Sequence, residues 1–152
     1  MSTNPDGPAT TVSKTFSRTT QVAVTIDAAP ATVWHLLTTA ADYSQWNSTI
    51  VSLQGEITPG SAIRLVSTLD PSRTFKLKIK EFEPSRRLVW GDALGSRVYT
   101  LTETNSGQTL FDMTERIGGP VFPLFASKIP SFDASFEQFA ADLKAAAEQA
   151  AE

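Results

Sequence analysis

The stretch SFDASFEQFAADLKAAAEQ, residues 131–149, places its large apolar side chains along one side of a predicted helix. These side chains follow one another at steps of four, three and four residues, and they are Phe132, Phe136, Phe139 and Leu143. This spacing is typical of a single apolar stripe on a helix. Such a helix must pack its stripe against a larger apolar surface, and the preceding residues predict a β-sheet that supplies it.

Six short segments between residues 49 and 117 alternate with turn signals and predict β-strands. Runs of Gly, Pro, Asn, Asp and Ser separate the segments. Because connectors this short join neighbouring strands antiparallel, the segments predict a meander. The predicted strands span residues 49–57, 62–69, 73–82, 86–92, 96–104 and 108–117.

The residues before the meander predict one more strand and two short helices. Apolar residues of one parity from Val12 to Ile26 indicate a long half-buried strand, and Pro30 suits the first position of a helix. A second short helix covers Asp42 to Trp46. The fold class predicted from this order is α+β, with a seven-stranded antiparallel sheet wrapped around the long C-terminal helix. One helix roughly 10–12 Å across cannot fill the concave side of a sheet roughly 30 Å wide, so we expect a cavity between them.

Length and patterning favour one domain without a membrane-spanning segment. The chain has 152 residues, and we expect residues 1–11 to form a disordered polar tail and residues 12–152 to form a single domain. No apolar run approaches ~18 residues, so no integral membrane segment is expected. The first dozen residues lack the features of a secretory signal, which favours a cytoplasmic protein. The sequence indicates no oligomeric state.

Charge and composition narrow the classes of function. The net charge of -3, without a basic stripe, argues against a nucleic-acid partner. The chain has no cysteine and one histidine. This histidine, His35, has no carboxylate at helical spacing to orient it, so we expect an exposed or capping residue. We therefore expect neither a metal site nor a cofactor.

The hairpin loop at residues 105–107 sets the register of the two strands beside it. A three-residue loop with a left-handed glycine places Arg97 opposite Glu115, and further along it pairs Tyr99 with Met113 and Leu101 with Phe111. All six residues share the parity that must point inward. The register therefore predicts an ion pair between Arg97 and Glu115, which serves either as a polar anchor in the cavity or as a pair at the sheet rim.

The candidate ligand-binding residues are mostly aromatic and aliphatic side chains predicted to face the gap between sheet and helix. They are Arg97, Glu115, Tyr99, Trp90, Phe75, Leu77, Ile79, Phe111, Met113, Phe122, Phe125, Phe132 and Phe136. Residues 120–130, PVFPLFASKIP, contain three prolines and cannot form a continuous helix. We expect this rim segment to move over the cavity entrance, with Phe122 and Phe125 closing on a ligand. Asp92 is either a general acid or base at the entrance or a turn residue at a strand end.

The sequence VAVTIDAAPATVWHLLTTAADYSQWN, residues 22–47, resembles the opening of the START-like (SRPBCC) superfamily, in its polyketide cyclase/dehydrase-type branch. The shared features are a hydrophobic strand, an Ala-Pro helix start followed by a tryptophan, and a Tyr-x-x-Trp-Asn ending. Residues 83–90 and 114–119 are further matches. The resemblance covers about residues 20–148 and implies a helix-grip fold, with an inward polar residue at the position of Glu115. The same scaffold hosts carriers, cyclases, dehydratases and regulators.

Three functions are compatible with these features. The first is a non-catalytic binding or carrier protein for a hydrophobic small-molecule ligand such as a lipid, polyketide, quinone or isoprenoid. The second is a polyketide cyclase or dehydratase, in which Arg97, Glu115, Tyr99 or Asp92 would direct protons. The third is a protein-interaction module that docks partners through the prolines of residues 120–130. A broad apolar cavity with one inward polar pair favours the first function.

Overall fold

The structure, a computed structural model, describes residues 8–152. Its strands are β1 (Thr10–Ser13), β2 (Ser17–Ile26), β3 (Ile50–Gln54), β4 (Ala62–Ser67), β5 (Phe75–Glu83), β6 (Arg87–Gly91), β7 (Gly95–Glu103) and β8 (Thr109–Gly118). Its helices are α1 (Pro30–Thr38), α2 (Tyr43–Trp46) and α3 (Asp133–Ala150). Short 3-10 turns cover Ala40–Asp42, Phe122–Leu124 and Ala126–Lys128.

Within the described residues the strands form one antiparallel sheet in the order β1-β2-β8-β7-β6-β5-β4-β3. The meander is the predicted one, and each strand boundary lies within a few residues of its expected position. Helix α3 packs across the concave face, where its buried residues are Phe136, Phe139, Ala140, Leu143 and Ala147. The α+β helix-grip fold is therefore confirmed, with a sheet of eight strands.

The strand count differs from the predicted seven because the segment from Val12 to Ile26 is two strands. The chain reverses after β1, where the N–H of Lys14 donates to the carbonyl oxygen of Ser17 at 2.7 Å. Strand β1 then pairs antiparallel with β2 along the sheet edge. Val12 and Phe16, which were expected to point inward, are exposed as a result.

The chain is also ordered earlier than expected. The tail predicted at residues 1–11 lies largely outside the described residues, but its last part does not. Ala9 is buried and donates its backbone N–H to a Glu137 carboxylate oxygen at 2.8 Å, and β1 begins at Thr10. Contacts with α3 thus hold the chain in place before residue 12.

Aromatic side chains fill the half of the concave face nearest α1 and α2. Tyr43 and Trp46 from α2 pack against Phe139 of α3, with ring centroids 6.4 Å and 5.8 Å away. Phe139 also stacks on Tyr99 and Phe111 of the sheet. Helix α2 therefore supplies bulk that α3 alone could not, and this half of the sheet has a closed core. Among residues 8–152, no helix is both long and apolar enough to cross a bilayer.

Candidate functional site

A cavity of about 520 Å³ opens on the concave side of the sheet, away from α2. It lies between the sheet and the rim segment that leads into α3, not beside the middle of α3. Its apolar lining residues are Leu65, Leu69, Phe75, Leu77, Trp90, Leu94, Ile117, Phe125, Ile129, Pro130 and Phe132. Strands β4 to β8 thus provide one wall, and the rim segment provides the other.

Arg97 and Glu115 form the ion pair that the hairpin register predicts. The register of β7 and β8 is confirmed, and it places the two residues directly opposite each other. The Arg97 Nε donates to the Glu115 Oε1 at 2.7 Å. Both residues line the cavity, and their side chains are only 15% and 19% exposed. The pair therefore lies inside the cavity and retains limited access to solvent.

The surroundings of Arg97 keep its guanidinium charged. The guanidinium carbon lies 5.0 Å from the ring centroid of Phe136 and 5.8 Å from that of Phe139. Burial alone would lower the pKa of Arg97, but the Glu115 carboxylate and the Tyr99 hydroxyl reverse this effect and raise the pKa above its ordinary value. Arg97 is thus a permanent cation at the boundary between the cavity and the aromatic core.

Seven of the predicted ligand-binding residues meet at this cavity. They are Phe75, Leu77, Trp90, Arg97, Glu115, Phe125 and Phe132. Side chains of one parity on a strand point to one face, which explains why the strand members of this set share a wall. Phe125 and Phe132 reach the cavity from the opposite side, on the rim segment and just before α3.

The other six predicted residues do not line the cavity. They are Ile79, Tyr99, Phe111, Met113, Phe122 and Phe136, and all are at most 2% exposed. Most of them have the inward parity, but they lie where α2 and α3 already cover the sheet. Phe122 is buried in the rim segment, with its ring centroid 5.6 Å from that of Phe125. Burial also raises the pKa of Tyr99 to about 12, against the opposing influence of Arg97.

Asp92 and His35 have structural positions. The Asp92 carboxylate accepts hydrogen bonds from the backbone N–H groups of Leu94 and Gly95, at 2.9 Å and 3.1 Å. This is the geometry of a turn residue at a strand end, although the residue also borders the cavity. His35 is exposed on α1, as expected.

The rim segment is held to the sheet by Arg18. Its guanidinium nitrogens donate to the carbonyl oxygens of Ile129 and Pro130, at 3.1 Å and 2.8 Å. Its guanidinium carbon also lies 4.9 Å from the ring centroid of Phe132. Within the segment, the backbone hydrogen bonds span only a few residues. Arg18 therefore fixes one end of a segment that has little regular structure of its own.

The sequence reasoning missed several lining residues. Leu65 pairs with Phe75 across β4 and β5, so it shares the cavity wall. Ile117 lies two residues beyond Glu115 on β8 and has the same parity. Both were detectable from strand parity. Arg73, whose guanidinium carbon lies 4.5 Å from the ring centroid of Phe75, also has the parity of Phe75 in the predicted strand 73–82, but it lies in the loop before β5.

Proteins of known structure share this architecture at low sequence identity. A conserved protein of unknown function from Enterococcus faecalis is 19% identical, with a TM-score of 0.68 over 95% of this chain and 79% of that one. A START superfamily protein from Mycobacterium smegmatis is 15% identical, with a TM-score of 0.63 over 87% and 98%. DynU16 of the dynemicin biosynthetic locus is 21% identical, with a TM-score of 0.64 over 86% of this chain and 47% of its own. These structural similarities show that the chain has the same fold as these proteins.

The family assignment rests on the sequence itself. Among curated proteins, none matches the chain significantly. The family model described as "Polyketide cyclase / dehydrase and lipid transport" matches residues 17–148, from the start of β2 almost to the end of α3. The chain therefore belongs to the polyketide cyclase/dehydrase and lipid transport family.

Proposed function

We propose that this chain binds a hydrophobic small molecule in its cavity and carries it without chemical change. A lipid, a polyketide, a quinone or an isoprenoid has the required character. The observation that supports this most is the open cavity of about 520 Å³, with eleven apolar residues in its lining. This volume falls within the range of roughly 300–1,000 Å³ found for small-molecule sites. Burial of apolar ligand surface, at roughly 25 cal/mol per Å², would provide the affinity.

The Arg97–Glu115 pair is proposed to orient the polar end of the ligand. The Arg97 Nε donates to Glu115 and one terminal guanidinium nitrogen donates to the Tyr99 hydroxyl oxygen at 3.5 Å, while Arg97 itself lines the cavity. A ligand hydroxyl or carbonyl oxygen would accept from this cation, and the Glu115 carboxylate would accept from a hydroxyl. Phe75, Leu77 and Trp90 would contact the apolar remainder of the ligand.

A cyclase or dehydratase activity is the second candidate, because the family description includes it. Such an activity requires several polar groups that converge on the reacting atoms. Tyr99 is fully buried outside the cavity lining, and the Asp92 carboxylate is bound to its own turn. Of the four residues that could direct protons in such an enzyme, only Arg97 and Glu115 remain available to a bound substrate. This arrangement favours a carrier over an enzyme.

The remaining partner and location inferences follow from composition. We propose that nucleic acid is not a partner, since the net charge is -3. We also propose a cytoplasmic location, because a chain with no cysteine suits a reducing compartment.

Native mass spectrometry of protein purified from its own host tests the proposal directly. We expect a bound hydrophobic molecule that is retained in the intact chain and released on unfolding. Leu77→Trp adds bulk to a lining position and should reduce binding of anilinonaphthalene sulfonate at least about tenfold, if the probe occupies the cavity. Val51→Trp introduces the same side chain at an exposed site on β3 and should leave probe binding unchanged. A chain that carries no molecule, and whose probe affinity Leu77→Trp does not alter, would contradict the proposal.

A further inference from the structure

Four large apolar side chains are exposed together at one end of the sheet. They are Phe16, Leu94, Val121 and Leu124, and we call them the end patch. Leu124 is 79% exposed, and the other three are between 42% and 56% exposed. Single exposed apolar residues are common on protein surfaces, whereas a contiguous group marks a contact surface.

Backbone hydrogen bonds bring these four residues to one place. The N–H of Gly119 donates to the carbonyl oxygen of Phe16 at 3.0 Å, and the N–H of Gly118 donates to that of Leu94 at 2.9 Å. Val121 lies two residues after Gly119 in the rim segment, and the N–H of Leu124 donates to its carbonyl oxygen at 3.0 Å. The turn between β1 and β2, the turn between β6 and β7 and the end of β8 therefore meet here.

The end patch borders the opening of the cavity. Leu94 belongs to the end patch and also lines the cavity. Phe125 and Lys128 of the rim segment line the cavity as well, and they follow soon after Leu124 in the sequence. A surface that contacted the end patch would therefore also face the cavity opening.

Basic residues outnumber acidic residues in the segments that carry the end patch, although the chain as a whole is acidic. The three segments that form this end, residues 14–18, 92–95 and 116–130, contain four basic residues and one acidic residue. The basic residues are Lys14, Arg18, Arg116 and Lys128, and the acidic residue is Asp92. The whole chain carries a net charge of -3, so positive charge is concentrated at this end.

We propose that the end patch docks on the surface of an anionic lipid bilayer. The apolar side chains would enter the boundary between headgroups and acyl chains, and the surrounding cations would contact the headgroups. A second copy of the chain fits less well, because a two-fold contact would bring the same cations together. The proposal goes beyond ligand carriage, and it does not require the cavity to be occupied.

Flotation of the full chain with lipid vesicles tests this docking. The vesicles contain phosphatidylcholine alone, or phosphatidylcholine with about a third phosphatidylglycerol. We expect binding to the anionic vesicles that weakens with added salt, and much weaker binding to the neutral ones. Val121→Ser combined with Leu124→Ser should reduce the anionic partition coefficient at least about tenfold. Lys14→Ala and Lys128→Ala should each reduce it about fivefold.

Val51→Ser is the matched control, because Val51 is 49% exposed on β3 at the opposite edge of the sheet. This variant should bind vesicles as the parent chain does. The proposal is overturned if the parent chain does not float with anionic vesicles, or if the two serine substitutions leave flotation unchanged. It is also overturned if analytical ultracentrifugation shows a dimer that these substitutions dissociate, since a second copy would then cover the patch. Probe binding in the cavity is measured separately, so either proposal can fail alone.

Discussion

The Arg97 guanidinium lies between two different partners, with the Glu115 carboxylate 2.7 Å from its Nε and the Phe136 ring centroid 5.0 Å from its central carbon. Replacing Glu115 by Leu would leave the cation against aromatic rings with limited solvent. We expect a loss of about 3 kcal/mol in the free energy of unfolding, near the lower end for a buried pair. Adding Arg97→Met should recover most of this loss, because two apolar side chains need no desolvation.

A double-mutant cycle from urea unfolding measures the coupling between these two residues. The control is the ion pair between Arg87 and Glu81, whose side chains are 39% and 48% exposed. Glu81→Leu should cost less than about 1 kcal/mol, since solvent replaces the lost partner. A coupling energy near zero for Arg97 and Glu115 would show that solvent screens this pair as well.

Phe136→Ala distinguishes core from cavity wall at the start of α3. Phe136 is 1% exposed, and its ring stacks on that of Phe132 with centroids 5.9 Å apart. Because truncation leaves a closed void, we expect a loss of about 3–5 kcal/mol in the free energy of unfolding. Phe132→Ala is the matched control, since that ring already borders open space and its truncation should cost clearly less. Equal losses in urea melts would place both rings in the same environment.

The fold was predictable from local signals, with one exception. Turn residues mark every connection of the meander, and a three-residue loop determines the register of β7 and β8. The reversal between β1 and β2 has no such mark, because Lys14, Thr15 and Phe16 include no glycine, proline or asparagine. Val12 also has the parity of the buried residues of β2. A prediction based on parity alone therefore continues one strand through this turn.

The candidate site was only partly predictable, for a different reason. Parity shows which face of the sheet a side chain occupies, but not which part of that face another element covers. Tyr99 and Met113 share the parity of Arg97 and Glu115, yet they are fully buried. Their burial depends on how α2 and α3 pack over that half of the sheet, which is a tertiary relationship between distant residues.

The rim segment should exchange its amide hydrogens faster than β7 and β8. Its hydrogen bonds span only a few residues, and three prolines interrupt them. Arg18→Ala removes the donor to Ile129 and Pro130 and should increase the exchange rate there further. Arg116→Ala changes an exposed arginine and should have no such effect. Hydrogen–deuterium exchange measures these amide exchange rates. Anilinonaphthalene sulfonate bound in the cavity should slow exchange in the rim segment. Strong protection without the probe would show a fixed element instead.

The two tyrosines of the chain, Tyr43 and Tyr99, predict a loss of stability at alkaline pH. Both are fully buried, and burial raises the pKa of Tyr99 to about 12 and that of Tyr43 well above its usual 10.0. Below pH ~10 each phenol is protonated in both the folded and the unfolded chain. Between pH ~10 and ~12 the unfolded chain ionises first, so the free energy of unfolding falls as the pH rises.

Tyr99 alone should contribute a decrease of about 3 kcal/mol across this interval, since one pKa unit corresponds to about 1.4 kcal/mol. Near-ultraviolet absorbance of tyrosinate, recorded with circular dichroism on the same samples, should show ionisation only when the chain unfolds. Tyr99→Phe should reduce the dependence of the urea midpoint on pH above 10, because the substituted ring has no proton to lose. Val51→Ser, at an exposed site without an ionisable group, should leave that dependence as it is. Tyrosinate absorbance that rises around pH ~10 while circular dichroism stays constant would mean that solvent reaches the phenols in the folded state.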